Sequence, residues 1–196
     1  MTASAPRPRA TEVTSDTRVL VVCAANRCRS PMGAALLLRR ADAHGQALSV
    51  RSAGISALEG EPVVPLAVAV LRDDWAIDIA AHRSHRVEVA DIDDADVIVA
   101  MERWIAKEIV LMSPGAASRT FTFRGLARVA GSTPRRSGEA TGSWVERMDR
   151  REPVDARLLG APADDIADPT NAPLSAYRRT ASELDALTAS ILGGAP

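Results

Sequence analysis

The segment Cys23-Ala24-Ala25-Asn26-Arg27-Cys28-Arg29-Ser30 places a sulfur nucleophile six residues ahead of a guanidinium and seven ahead of a hydroxyl. The run before it, Arg18-Val19-Leu20-Val21-Val22, is apolar after polar sequence, as expected of a buried strand. After it, Ser30 suits a helix N-cap and Pro31 the first helical position. A tight loop between strand and helix can turn consecutive backbone N–H groups inward, beside the positive end of the helix dipole. That arrangement makes an anion site the size of a phosphate. Thiols at helix N-termini beside cations fall from a pKa of about 8.5 to about 3.5–7.5, which supplies a thiolate at neutral pH. Arg29 can return over the cup and hold two phosphoryl oxygens. Ser30 can donate to the sulfur or help the leaving side, and Asn26 tolerates left-handed backbone at the bend. The competing reading is a small buried cysteine without chemistry. Its place between a strand and a helix favours the reactive one.

Around this loop, strand and helix signals alternate. Leu48 to Ser52 predicts a second strand and Pro65 to Trp75 a second helix. Asp96 to Met101 predicts a third strand, Glu102 to Leu111 a helix, and Thr120 to Phe123 a fourth strand. Leu174, Tyr177, Ala181, Leu184, Leu187 and Ile191 share one face of a final helix. The expected fold class is α/β: a three-layer, four-stranded parallel sheet with helices on both faces, flavodoxin-like. Ligands bind such sheets beyond the carboxyl ends of strands, where Cys23 falls. Residues 1–16 read as a disordered arm and 17–196 as one domain. The Gly-, Pro- and Arg-rich stretch at about 131–163 reads as an irregular excursion with a short helix near Trp144 to Arg150.

The composition sets the remaining bounds. The chain has 196 residues, 46% hydrophobic and 25% charged, with a formal net charge of −1, which speaks against nucleic acid or anionic membrane as partner. No apolar run reaches the roughly 18 residues of a membrane span, and the start lacks the apolar core of a secretory signal. Two cysteines form no disulfide framework and point to a reducing, cytoplasmic setting. His44, His82 and His85 are not spaced with Cys or carboxylate partners as a metal set, so no metal or cofactor is expected.

The run Val21 to Met32 resembles the low-molecular-weight protein tyrosine phosphatases, whose form is roughly V-C-x-G-N-x-C-R-S-P-M. The resemblance continues through Ser52-Ala53-Gly54, Ala81-His82-Arg83-Ser84, Ala95 to Glu102, and Asp168-Pro169. It covers about Val19 to Leu192, apart from the excursion. It implies in-line attack by Cys23 to give a phosphocysteine, with Arg29 and the loop Ala24, Ala25, Asn26, Arg27, Cys28 and Ser30 binding phosphate. It makes Asp168 the general acid, ahead of its neighbours Asp164 and Asp165. Ser52 and His82 join Asn26 and Ser30 in the polar network that shapes the loop. The implied partner is a phosphorylated protein, phosphotyrosine before phosphoarginine.

The sequence departs from the family pattern at four places. Ala25 replaces the usual Gly, which costs about 1–2 kcal/mol if the backbone there is left-handed. Arg27 replaces an apolar residue or Thr, and either selects acidic substrates or is simply solvated. Thr170-Asn171 and Ser56-Ala57-Leu58 lack the usual aromatic walls, which Trp104 or Trp144 could replace. Cys28, which the family pattern shares, is either a disulfide partner that protects Cys23 or a packed thiol. The alternatives are an arsenate reductase on the same fold, for which no further resolving cysteines exist, and a catalytically weak phospho-ligand binding module.

Overall fold

The computed structural model describes residues 17–159 and 162–193, so the proposed arm at 1–16 lies outside the described residues. Four parallel strands form one sheet in the order β2-β1-β3-β4: β1 Thr17–Cys23, β2 Leu48–Gly54, β3 Val97–Ala100 and β4 Thr120–Thr122. Cys23 pairs with Gly54 at the carboxyl end of the β1–β2 ladder. The central strands β1 and β3 are apolar and buried nearly throughout, as parallel strands covered on both faces must be. This is the expected three-layer α/β fold.

Helix α1 (Arg29–Ala43) returns from β1, and α2 (Pro65–Trp75) and α3 (Val89–Asp94) connect β2 to β3. Helix α4 (Arg103–Met112) and a 3-10 turn at Pro114–Arg119 lead into β4. Gly33 lets α1 approach closely: a Cβ there would lie 2.9 Å from the Met101 methyl and 3.0 Å from the Phe123 ring. Helix α8 (Leu174–Leu192) packs on α1, α2 and α5 (Phe123–Ser132) and buries Tyr177, Ala181 and Leu184.

Two differences from the sequence reading have local causes. Helix α5 was not expected, because its Gly125 and Gly131 obscure an apolar face of Phe123, Leu126, Val129 and Ala130. The Thr122 hydroxyl caps it, accepting the Gly125 N–H at 3.1 Å. In the segment at about 131–163 the short helix expected near Trp144 to Arg150 is present as α6 (Thr141–Arg151), and a second helix that was not expected, α7 (Val154–Leu159), follows it. Trp144, Val145 and Met148 bury one face of α6, and the Trp144 indole donates to the Thr133 carbonyl at 2.7 Å. Two of the segment's arginines are tied inward. Arg157 is buried over the Phe121 ring at 4.3 Å and pairs with Asp149, while Arg147 holds Glu139.

Candidate active site

Helix α1 begins at Arg29, two residues earlier than Ser30 as N-cap and Pro31 as first helical residue suggest, with Cys28 at the N-cap and no side-chain cap bond. The Ser30 hydroxyl is therefore free for the loop. Its single proton is shared between Cys23 Sγ at 3.0 Å and the Ala53 carbonyl at 3.2 Å. The Asn26 N–H also points at Cys23 Sγ, at 3.1 Å. The first turn of α1 carries no acidic side chain to offset its positive dipole end, which follows directly on the loop that begins at Cys23. Cys23 itself is buried at the base.

Asn26 is the keystone of the loop. Its backbone is left-handed (φ 54°), a conformation Asn adopts at lower cost than most residues. Ala25 is not left-handed, so the cost attached to its missing Gly does not arise. The Asn26 carboxamide donates to Ser30 Oγ and Ser52 Oγ, both at 2.9 Å, and accepts the His85 N–H at 2.8 Å. His82 Nε2 lies 3.1 Å from the Asn26 carbonyl and 3.2 Å from its Oδ1. Burial holds the His82 ring below the usual imidazole value, which keeps it neutral with a proton for these oxygens. Gly54 completes the support: a Cβ there would sit 2.7 Å from the Ala24 carbonyl oxygen and 2.8 Å from the Asn26 nitrogen.

Arg29 is held on the far side of the cup with its side chain 3% exposed. Nη1 donates to Glu102 Oε1 at 2.5 Å and to the Ile166 carbonyl at 2.8 Å, and Nη2 donates to Asp168 Oδ2 at 2.7 Å. A guanidinium has five N–H donors in a fixed fork. Among the described residues these bonds leave the Nε–H and one Nη2–H, the edge suited to two phosphoryl oxygens. Asp168 is 45% exposed at the mouth, and its other oxygen accepts the Thr170 N–H at 3.0 Å. Asp165 pairs with Arg103 and Asp164 with Arg128, which takes both neighbours away from the cup.

The remaining candidates resolve as follows. Arg27 is neither free nor aimed into the cup. Its Nε donates to the Pro62 carbonyl at 2.9 Å, and its Nη1 lies 3.7 Å from Glu61, so it anchors the rim. Cys28 is a buried free thiol 3.9 Å from Met32 Sδ, pushed up to about 12 by burial, with Asp168 and Cys23 adding to the rise. Trp144 belongs to the buried face of α6, while Trp104 is exposed at the start of α4. Sequence reasoning gave no role to Glu102, His85 or Gly54. Glu102 and Gly54 stood within matched motifs, and His85 contributes through a backbone N–H that no side-chain pattern reveals.

Comparison with known proteins points the same way. The sequence profile described as low molecular weight phosphotyrosine protein phosphatase matches residues 18–132, more than half of the chain. A protein-arginine-phosphatase of Geobacillus stearothermophilus is 31% identical over 170 residues, covering 87% of this chain and 90% of that protein. A probable low molecular weight protein-tyrosine-phosphatase of Ralstonia nicotianae is 41% identical over 103 residues, 53% of this chain and 68% of that one. The crystal structure of the low molecular weight protein tyrosine phosphatase from T. tengcongensis superposes with a TM-score of 0.68 at 29% identity, over 91% of this chain and 99% of that one. A fold with this sheet order, carrying this loop and these relatives, belongs to the low molecular weight phosphotyrosine protein phosphatase family.

Proposed function

We propose that this chain hydrolyses phosphotyrosine in proteins, without a metal, through a phosphocysteine on Cys23. The observation that carries the reading is the meeting of three groups around one cup: Cys23 Sγ under two donors, the open edge of Arg29, and the Asp168 carboxyl at the mouth. The phosphoryl oxygens take the N–H groups at the start of α1 and the free fork of Arg29, which match the charge spread in the transition state. The Cys23 thiolate attacks phosphorus as the bond to the tyrosine oxygen breaks, and protonated Asp168 gives its proton to that oxygen. The product tyrosine leaves. Asp168, now a carboxylate, takes a proton from a water that attacks the phosphocysteine, releasing inorganic phosphate and restoring the thiolate. Asn26, Ser30, Ser52 and His82 keep the loop in this shape.

Residues 17–196 form one catalytic domain in this reading, and two free thiols suit a cytoplasmic setting. A second reading, phosphoarginine as substrate, is favoured by the arginine phosphatase relative that matches over most of both chains. Hydrolysis of p-nitrophenyl phosphate with EDTA and a reductant tests the main reading. Activity should vanish in Cys23→Ala and fall strongly in Asp168→Asn, and phosphotyrosine peptides should be turned over faster than phosphoarginine peptides. Binding of phosphopeptides without turnover would reassign the chain as a binding module. Arsenate-dependent thiol consumption would reassign it as a reductase.

A further inference from the structure

We propose that the indole face of Trp104 is the wall against which the aryl ring of the substrate's phosphorylated residue packs. This rests on the phosphotyrosine reading and names the residue that selects for the ring. The chain has six aromatic residues, three Trp, two Phe and one Tyr. Phe121, Phe123, Trp144 and Tyr177 are buried in the core, and Trp75 is half-buried on α2. Trp104 alone is exposed, at 42%.

Its position ties it to the cup. Trp104 Nε1 donates to Glu102 Oε2 at 2.9 Å, and the other oxygen of that carboxylate holds Arg29. Arg29 in turn reaches Asp168, so the indole stands two side chains from the group that protonates the leaving oxygen. The segment carrying Asp168 is fastened to the same place. The Ile166 N–H donates to the Met101 carbonyl at 2.8 Å, and the Arg103 N–H donates to Asp165 Oδ1 at 2.7 Å. Beyond Asp168 that segment continues as Pro169, Thr170 and Asn171, which carry no ring. Across the cup, the residues following Gly54 end in Leu58, 73% exposed and aliphatic. Of the six aromatic side chains, the Trp104 indole is therefore the one that is both exposed and tied by hydrogen bonds to the cup. A tryptophan has only two side-chain torsions to fix, and the bond to Glu102 fixes its orientation before substrate arrives.

Offset or edge-to-face aromatic pairs add enough beyond their buried area for a roughly three- to tenfold change in binding. The experiment compares wild type, Trp104→Ala and Trp104→Phe on a phosphotyrosine peptide, on 2-naphthyl phosphate and on acetyl phosphate, whose leaving group is reactive without a ring. Trp104→Ala should raise KM for the two aryl substrates roughly three- to tenfold, with kcat held within about twofold and acetyl phosphate unaffected. Trp104→Phe should keep most of the aryl preference, because it keeps a ring while losing the N–H. Equal losses on aryl and acetyl phosphates, or a fall in kcat in both variants, would overturn the proposal and make Trp104 a positioning residue acting through Glu102. Unchanged kinetics in Trp104→Ala would also overturn it. Wild type that turns over acetyl phosphate but neither aryl substrate would instead overturn the phosphotyrosine reading itself, so the two failures are distinguishable.

Discussion

Arg29 and Asp168 are paired directly, Nη2 to Oδ2 at 2.7 Å, so the phosphate clamp and the proton donor of the proposed mechanism hold each other before substrate arrives. An incoming phosphate takes the remaining edge of the same guanidinium and brings its negative charge beside the Asp168 carboxylate. Arg29 stays in place as phosphate enters because Glu102 and the Ile166 carbonyl hold its other nitrogen.

Replacing Asp168 with Asn removes the acid and also the negative charge beside the incoming phosphate. The expected outcome is a kcat lower by about 10²–10⁴, with the largest loss on substrates whose leaving groups are poorest. Inorganic phosphate should inhibit this variant more tightly than wild type. A kcat plot against leaving-group pKa, with a phosphate inhibition constant beside it, checks both. Equal loss on all leaving groups would remove Asp168 from the acid's role.

Glu102→Gln leaves a nearly buried guanidinium with one fewer negative partner. Because Glu102 is partly exposed, the expected stability cost is about 1–3 kcal/mol, below that of breaking a fully buried pair. Both kcat/KM and the urea midpoint should fall. Retention of both would mean that Ile166 and Asp168 suffice to hold Arg29.

Gly54→Ala tests the loop without touching any reacting group. A methyl placed 2.7 Å from the Ala24 carbonyl and 2.8 Å from the Asn26 nitrogen must push backbone, because no flexible side chain there can yield. A displacement near 1 Å costs on the order of 100-fold in rate. The measurement is kcat/KM together with a thermal melt. A folded protein with wild-type kinetics would show that the loop absorbs the shift.

Most of this site was legible because its chemistry is local in sequence. Cys23, Asn26, Arg29 and Ser30 fall in one turn between two elements, and a strand end followed by a helix start fixes where their backbones go. Asp168 was legible only through its motif, since nothing local in the stretch around Pro169 says that it reaches Arg29 from so far along the chain. Glu102 shows the limit in a different way: a carboxylate after a buried strand suits a helix start, and its use as an anchor depends on packing. Strands β1 and β3 announced themselves as apolar runs, whereas α5 and α7 did not, because glycines dilute α5 and α7 is only six residues long.

His85 gives the site a pH signature. Its hydrogen bond to the Asp91 carboxylate, with Glu59 beside the other ring nitrogen, raises the imidazole above its usual value despite partial burial. A raised folded-state pKa contributes stability that is fully present below the unfolded value of about 6.5, and that is lost as pH rises through the folded value. The difference in melting temperature between wild type and His85→Asn should therefore shrink from pH 5.5 toward pH 8, taken as approximate limits around that value. His85 is partly exposed, so the effect is modest and salt-sensitive. A difference that grows with pH would contradict the assignment.

The most direct test of the central claim is to trap the covalent intermediate. Wild type and Asp168→Asn are mixed with excess aryl phosphate in EDTA, quenched within a turnover, digested and read by mass spectrometry. The expected result is phosphate on the peptide containing Cys23, with none on Cys28 and none in Cys23→Ala, which should be inactive. Undiminished hydrolysis by Cys23→Ala, with no phosphate on Cys23 in wild type, would contradict the account.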